Sequence, residues 1–138
     1  MTELTTAPFV WPVRVYFEDT DVGGVVYHAR YLHFFERART ELLRSRGVSM
    51  SELKRDHNLI WVVLEMNIKF RQAAKLDDEL LVTAELVWTK GVRQGFSQHM
   101  TRKADGVPIA DAEVTAVMLH ADSLKPARMP AWMRVELN

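Results

Sequence analysis

The densest run of residues capable of chemistry is Glu18-Asp19-Thr20-Asp21-Val22-Gly23-Gly24-Val25-Val26-Tyr27-His28. Carboxylates, a flexible Gly-Gly turn and a histidine beside a predicted helix start converge there. That combination suits acyl transfer. A carboxylate can attack a carbonyl carbon or activate a water, and unpaired N–H groups at a helix start polarise the carbonyl oxygen and stabilise the developing oxyanion. Gly23 and Gly24 allow close backbone approach to a substrate. On residue types alone a second reading stays open, an ordinary loop whose Asp side chains bond neighbouring backbone N–H groups and whose histidine is a surface or capping residue.

Other chemistries find less support. His33 and Glu36 lie three apart on the predicted helix, but with no second pair at that spacing they read as a solvated or interface contact, and no metal is expected. Asp19 to Gly24 begins like a calcium loop, yet Gly23 stands at its fifth position and Arg30 at its twelfth, where a bidentate Glu is required. The chain has no G-x-G-x-x-G around Gly23-Gly24, no G-x-x-x-x-G-K-[ST] and no G-x-S-x-G, so dinucleotide, P-loop and serine-hydrolase chemistry lose their usual signatures. A strand ending in Asp-x-Asp also resembles the start of haloacid-dehalogenase-type phosphatases, with Asp19 as nucleophile and Asp21 as acid. That fold needs parallel strands alternating with helices, and residues 59–120 read as successive antiparallel strands.

With 138 residues, 48% hydrophobic and 26% charged, the chain is expected to form one packed domain over residues 1–138. Lys plus Arg (18) balance Asp plus Glu (18), leaving no global field to hold a nucleic acid or an anionic membrane surface. The absence of cysteine removes disulfides, thiolate zinc sites and a cysteine nucleophile. Met1 to Trp11 shows no basic region followed by a long apolar run, and no later stretch approaches the ~20 apolar residues of a membrane span. A cytoplasmic protein without membrane insertion is expected.

The elements that must position these residues can be read from period. Val13, Val15 and Phe17 alternate in a first strand over 11–17 that is predicted to run on into Glu18 to Asp21. A long helix is predicted from near Tyr31, with Leu32, Phe35, Ala38, Arg39, Leu42 and Leu43 sharing a face and Gly47 as its stop. Ser49 to Arg55 suits a short second helix capped by Ser49 or Ser51. Alternation returns from Leu59 to Phe70, predicted buried on both faces early and on one face late, then over 79–89, 96–103 and 109–120, with Asp105-Gly106 as a hairpin turn. The tail from Pro126 to Asn138 is predicted to end in one helical turn. This order predicts an α+β fold, a curved antiparallel sheet wrapped around one long helix, with the outer face left to solvent or a partner.

The segment Val13 to His28, continuing through Tyr31, Phe35, Glu36, Arg37, Ala38, Arg39, Thr40 and Glu41, closely resembles the N-terminal signature of YbgC-type acyl-CoA thioesterases, in the 4-hydroxybenzoyl-CoA thioesterase branch of the hotdog superfamily. Similar features recur at Leu76-Asp77-Asp78, Phe96-Ser97-Gln98, Ala112-Glu113-Val114 and Leu124-Lys125-Pro126, so the resemblance covers most of the chain. It implies a hotdog fold and hydrolysis of an acyl-CoA to free acid and CoA. Asp21 would be the catalytic carboxylate, as nucleophile or general base, with Asp19 supporting it. His28 would help orient or polarise the thioester carbonyl through its backbone N–H as much as its ring, and Gly23, Gly24 and Tyr27 would shape the acyl pocket. The family habit is a tetramer, a dimer of dimers with active sites at subunit interfaces, and a preference for CoA over acyl-carrier protein.

Neither route through Asp21 requires a metal or an organic cofactor. Lys90 and Arg93, beside the third turn, are candidates for the CoA phosphates on charge and position, although a solvated basic turn explains them equally well. The stretch Gly91 to Gly95 lacks the small hydroxyl residues associated with that turn in the family. The alternative from another class is a hotdog module that binds acyl thioesters or a protein partner without turnover, for which a carboxylate at Asp21 would have no evident use.

Overall fold

The computed structural model describes residues 8–135, so readings that fall on residues 1–7 and 136–138 lie outside it. Strand β1 covers Phe9–Arg14, helix α1 His28–Ser45, helix α2 Met50–His57, and strands β2 to β5 cover Leu59–Phe70, Glu79–Lys90, Arg93–Arg102 and Pro108–His120. Short 3-10 turns occupy Phe17–Asp19 and Ala131–Met133. All pairings are antiparallel and the spatial order is β1-β3-β4-β5-β2, a single five-stranded sheet.

The inner face of that sheet follows the alternation of the sequence. Leu80, Val82, Ala84 and Leu86 from β3 and Ala110, Ala112, Val114, Ala116 and Met118 from β5 are buried in one cluster with Tyr31, Phe34, Phe35, Ala38 and Leu42 of α1. The small alanines of β5 leave room for the bulk of the helix, and each large apolar side chain so buried contributes about 1.5–3 kcal/mol. Gln98 is fully buried on the same face, where its Nε2 donates to Phe35 O of α1 at 3.0 Å and Thr83 O of β3 at 3.1 Å. Helix and sheet are thus joined by a polar clamp as well as by packing.

Local chemistry sets the ends of the elements. Gly47, at φ +90°, stops α1 as expected, with its N–H bonded to Arg44 O. Ser49 is the cap of α2, its Oγ accepting from Glu52 N at 3.2 Å, and left-handed Asn58 closes that helix. Several expectations are corrected. Strand β1 stops at Arg14 because Asp19 takes the Tyr16 N–H at 2.8 Å and folds the chain into a 3-10 turn before Asp21 is reached. Helix α1 starts three residues earlier than Tyr31, and its inner face uses Tyr31 and Phe34 while Leu32 is exposed.

Strand β2 is also not buried on both faces, since it is a sheet edge with Val62, Val63 and Leu64 exposed, and a bulge interrupts it between Val63 and Glu65. The β4–β5 reversal takes residues 103–106, closed by Arg102 N donating to Val107 O, with Gly106 at φ +73°. Strand β4 begins at Arg93 and not at Phe96.

Candidate active site

The segment 15–28 folds back on itself beneath the start of α1. Thr20 and Val26 form an antiparallel bridge, Asp21 N donates to Val25 O at 2.9 Å, and Gly24 N donates to Asp21 O at 3.0 Å. Gly24 sits at φ +78°, a conformation that strains any residue with a side chain, and a Cβ on Gly23 would lie 3.2 Å from Asp21 Oδ1. The backbone of the turn therefore demands glycine at Gly24, while a side chain at Gly23 would press on the Asp21 carboxylate.

Asp19 and Asp21 have opposite surroundings. Asp19 is buried, its Oδ2 accepting from Tyr16 N at 2.8 Å, its Oδ1 standing 3.7 Å from Arg30 Nε, and its backbone O accepting from Tyr27 N at 2.9 Å. Asp21 is exposed, its Oδ1 held by Gly23 N at 2.8 Å, while its Oδ2 has no hydrogen-bond partner among the described residues. One oxygen fixes the carboxylate and the other is left available.

Helix α1 begins at His28, preceded by Tyr27 in extended conformation with no side-chain cap. The N–H groups of its first residues, His28 and Ala29, lie ahead of any intrahelical acceptor and make this end electropositive. The rings of Tyr27 and His28 stand 4.5 Å apart at 48°, and both residues are exposed. Asp21, Gly24 and Tyr27 line an open groove of about 980 Å³ together with Phe17, Val22, His33 and Leu76. Phe17 is 82% exposed and Val22 fully so, which gives this groove an apolar rim facing outward.

A second segment, the loop 71–78, supports the turn from behind. Val25 bridges Lys75, Val26 N donates to Ala74 O at 2.9 Å, and Ala74 N donates to the buried Tyr31 hydroxyl at 3.1 Å. Burial pushes the Tyr31 phenol above its ordinary pKa against the effect of the Ala74 bond, and the charges of Asp78 and Asp21 add to the rise. Arg102 anchors the same loop, donating to Asp78 Oδ2 at 3.1 Å, Asp105 Oδ2 at 3.1 Å and Ala73 O at 3.2 Å.

Of the residues singled out in the sequence, Asp21, Gly23, Gly24, Tyr27 and His28 come together in one turn. Lys90 and Arg93 do not join them. They face each other across the β3–β4 turn, at the far end of a 12-residue strand whose start, Glu79, lies beside the site. His33 and Glu36 do not form a pair, since His33 lines the Asp21 groove and Glu36 lines a separate hollow further along α1. The supporting roles of Arg30, Tyr31 and the loop 71–78 escaped sequence reasoning, although Tyr31 and Leu76-Asp77-Asp78 lay within the family-like segments.

Residues 15–137 match the family model of the thioesterase-like superfamily. The acyl-CoA thioesterase YbgC of Haemophilus influenzae is 45% identical over 122 residues, 88% of each chain. The acyl-CoA thioester hydrolase YbgC of Escherichia coli is 40% identical over 92% of this chain and 93% of its own. Among solved structures, a probable thioesterase from Bartonella henselae superposes with a TM-score of 0.84 at 35% identity, covering 90% of this chain and all of that one.

Proposed function

The chain belongs to the thioesterase-like superfamily as a hotdog-fold acyl-CoA thioester hydrolase, and we propose that Asp21 carries the reaction at the N-terminus of α1. The observation behind that assignment is the asymmetry of the Asp21 carboxylate on the groove wall, whose Oδ1 is held by Gly23 N–H at 2.8 Å while Oδ2 has no hydrogen-bond partner among the described residues. A thioester carbonyl placed between Asp21 and the first N–H groups of α1, His28 included, would develop its negative charge against the positive end of the helix. Two routes then share the geometry. In one, Oδ2 attacks the thioester carbon, expels CoA thiolate and leaves a mixed anhydride that water cleaves to release the acid and restore Asp21. In the other, Asp21 takes a proton from a water as that water attacks.

Gly23, Gly24 and Tyr27 shape the acyl entrance in this reading. One domain over residues 1–138 and action in the cytoplasm belong to the same proposal. So does a homo-oligomer, a dimer of dimers, supported by the apolar rim at Phe17 and Val22 and by the unpaired, exposed edge at Val62 to Leu64. Lys90 and Arg93 serve as CoA-phosphate contacts only if a second copy brings its β3–β4 turn to this groove.

The test is release of free thiol from short aliphatic, long aliphatic and aromatic acyl-CoAs by the unsubstituted protein and by Asp21→Asn. A loss of about 10²-fold or more with folding intact is expected of the variant, the range of an acid–base catalyst or above. Turnover at the unsubstituted rate by Asp21→Asn would remove Asp21 from the mechanism. Binding without turnover of any member would favour the non-catalytic module.

A further inference from the structure

The proposed reaction needs a fixed separation between two groups, the Asp21 carboxylate and the first N–H groups of α1. The chain between them runs through Val22, Gly23 and Gly24, all exposed, so burial does not fix that separation. A ring of hydrogen bonds does. Tyr31 lies one turn into α1, where side chains lean toward the helix N-terminus, and its buried hydroxyl accepts from Ala74 N at 3.1 Å. Ala74 O accepts from Val26 N at 2.9 Å, Lys75 bridges Val25, and Val25 O accepts from Asp21 N at 2.9 Å. From Val26 the chain leads through Tyr27 and His28 back to Tyr31, which closes the ring.

The other anchors of the loop 71–78 hold it to the sheet. Arg71 N and Gln72 N donate to Ile109 O of β5 at 2.8 and 3.2 Å, Arg102 donates to Ala73 O and Asp78, and Asp77 N donates to Val15 O at 3.0 Å. The Tyr31 hydroxyl is what joins this loop to α1. Ala74 is fully buried, so its N–H has no water to turn to when that oxygen is removed. The Tyr31 ring is held separately, edge-on to Phe34 at 6.4 Å and to Phe70 at 5.4 Å. Tyr31 is absent from the groove wall, yet among the causes that raise its pKa, after burial and Asp78, is the charge of Asp21.

We propose that Tyr31 is a positioning residue for the hydrolysis, its hydroxyl setting the distance between the Asp21 carboxylate and the N-terminus of α1 by accepting the Ala74 N–H. The inference rests on the reading of Asp21 as the reacting carboxylate, through which Tyr31 acts. A misplacement on the order of 1 Å costs on the order of 10²-fold in rate, so loss of the hydroxyl slows the chemical step. It leaves the groove wall that binds substrate in place, because Tyr31 contributes nothing to that wall.

The experiment compares thiol release from short aliphatic, long aliphatic and aromatic acyl-CoAs by the unsubstituted protein, Tyr31→Phe, Asp21→Asn and the double variant, each assayed below its unfolding midpoint. Amide hydrogen exchange of Tyr31→Phe and of the unsubstituted protein is followed by NMR. Tyr31→Phe should lower kcat on the order of tenfold or more with KM within about twofold. Added to Asp21→Asn it should cost no further turnover, because a residue that acts through Asp21 has nothing left to position. Exchange should quicken at the Ala74, Val26 and Asp21 N–H groups together, a readout independent of turnover. An unchanged kcat, a loss carried by KM, an equal loss in both backgrounds, or exchange quickened at Ala74 alone would overturn the inference, and each of these leaves Asp21 in its role. Turnover at the unsubstituted rate by Asp21→Asn is a separate result, which removes the Asp21 reading and this inference with it.

Discussion

Asp19 and Asp21 stand two residues apart, and the chain turns one inward and the other outward. The first spends its oxygens on the turn that presents the second, which is why a paired-carboxylate mechanism does not suit them even though their spacing invites one. A comparison on the outer face of the sheet shows how such surroundings set a titration. Asp111 is held below the ordinary carboxylate pKa chiefly by the hydrogen bond from His99 Nδ1 at 2.7 Å, with Arg71 Nε at 2.9 Å a further cause after the opposing effect of burial. A carboxylate depressed in the folded state stabilises it above the unfolded pKa, about 3.9, and that contribution is lost as pH falls through the lower, folded value. His99→Ala should therefore move the Asp111 titration upward toward ordinary carboxylate values, and so reduce both the stabilisation that Asp111 gives above the unfolded pKa and the pH span over which it is lost. NMR titration of the Asp111 carboxyl checks it, and an unmoved midpoint would assign the shift to Arg71 alone.

Elements carry the same logic at longer range. Strand β3 bulges between Leu86 and Trp88, and Trp88 pairs with Gly95 of β4 so closely that a Cβ on Gly95 would overlap the indole. Gly95→Ala is expected to destabilise the fold by about 1–3 kcal/mol through overpacking, read as a lowered midpoint in thermal or denaturant unfolding. An unchanged midpoint would mean that Trp88 moves aside without cost. This close approach is invisible in the sequence, where Gly95 is only a glycine near a turn. The alternation of β3 and β5, the Gly47 stop and the Ser49 cap were legible because period and local chemistry determine them. The end of β1 was not, because a side chain, Asp19, competes for the Tyr16 N–H that a strand would have used. The exposure of β2 was not legible either, since its place at the sheet edge is a matter of topology and its alternation looks the same at the centre. For the site, the turn from Asp21 to His28 could be read from one contiguous stretch, whereas its support by Ala74, Lys75 and Arg102 depends on contacts far apart in sequence.

The whole molecule presents an unpaired strand edge and an apolar rim beside the candidate site. Scattering at micromolar concentration should accordingly find an assembly larger than a monomer, and Leu64→Lys, at a residue 51% exposed on the β2 edge, should shift it toward smaller species. A compact monomer before substitution would refute the proposed assembly. The turn that holds Asp21 is one continuous stretch of chain, while the hollow along α1 draws its walls from both helices and from β2, β4 and β5. Changes in descent that resize that hollow are scattered over the sequence and touch none of the residues that hold the carboxylate. The turn can thus be inherited whole while the space between helices and sheet drifts.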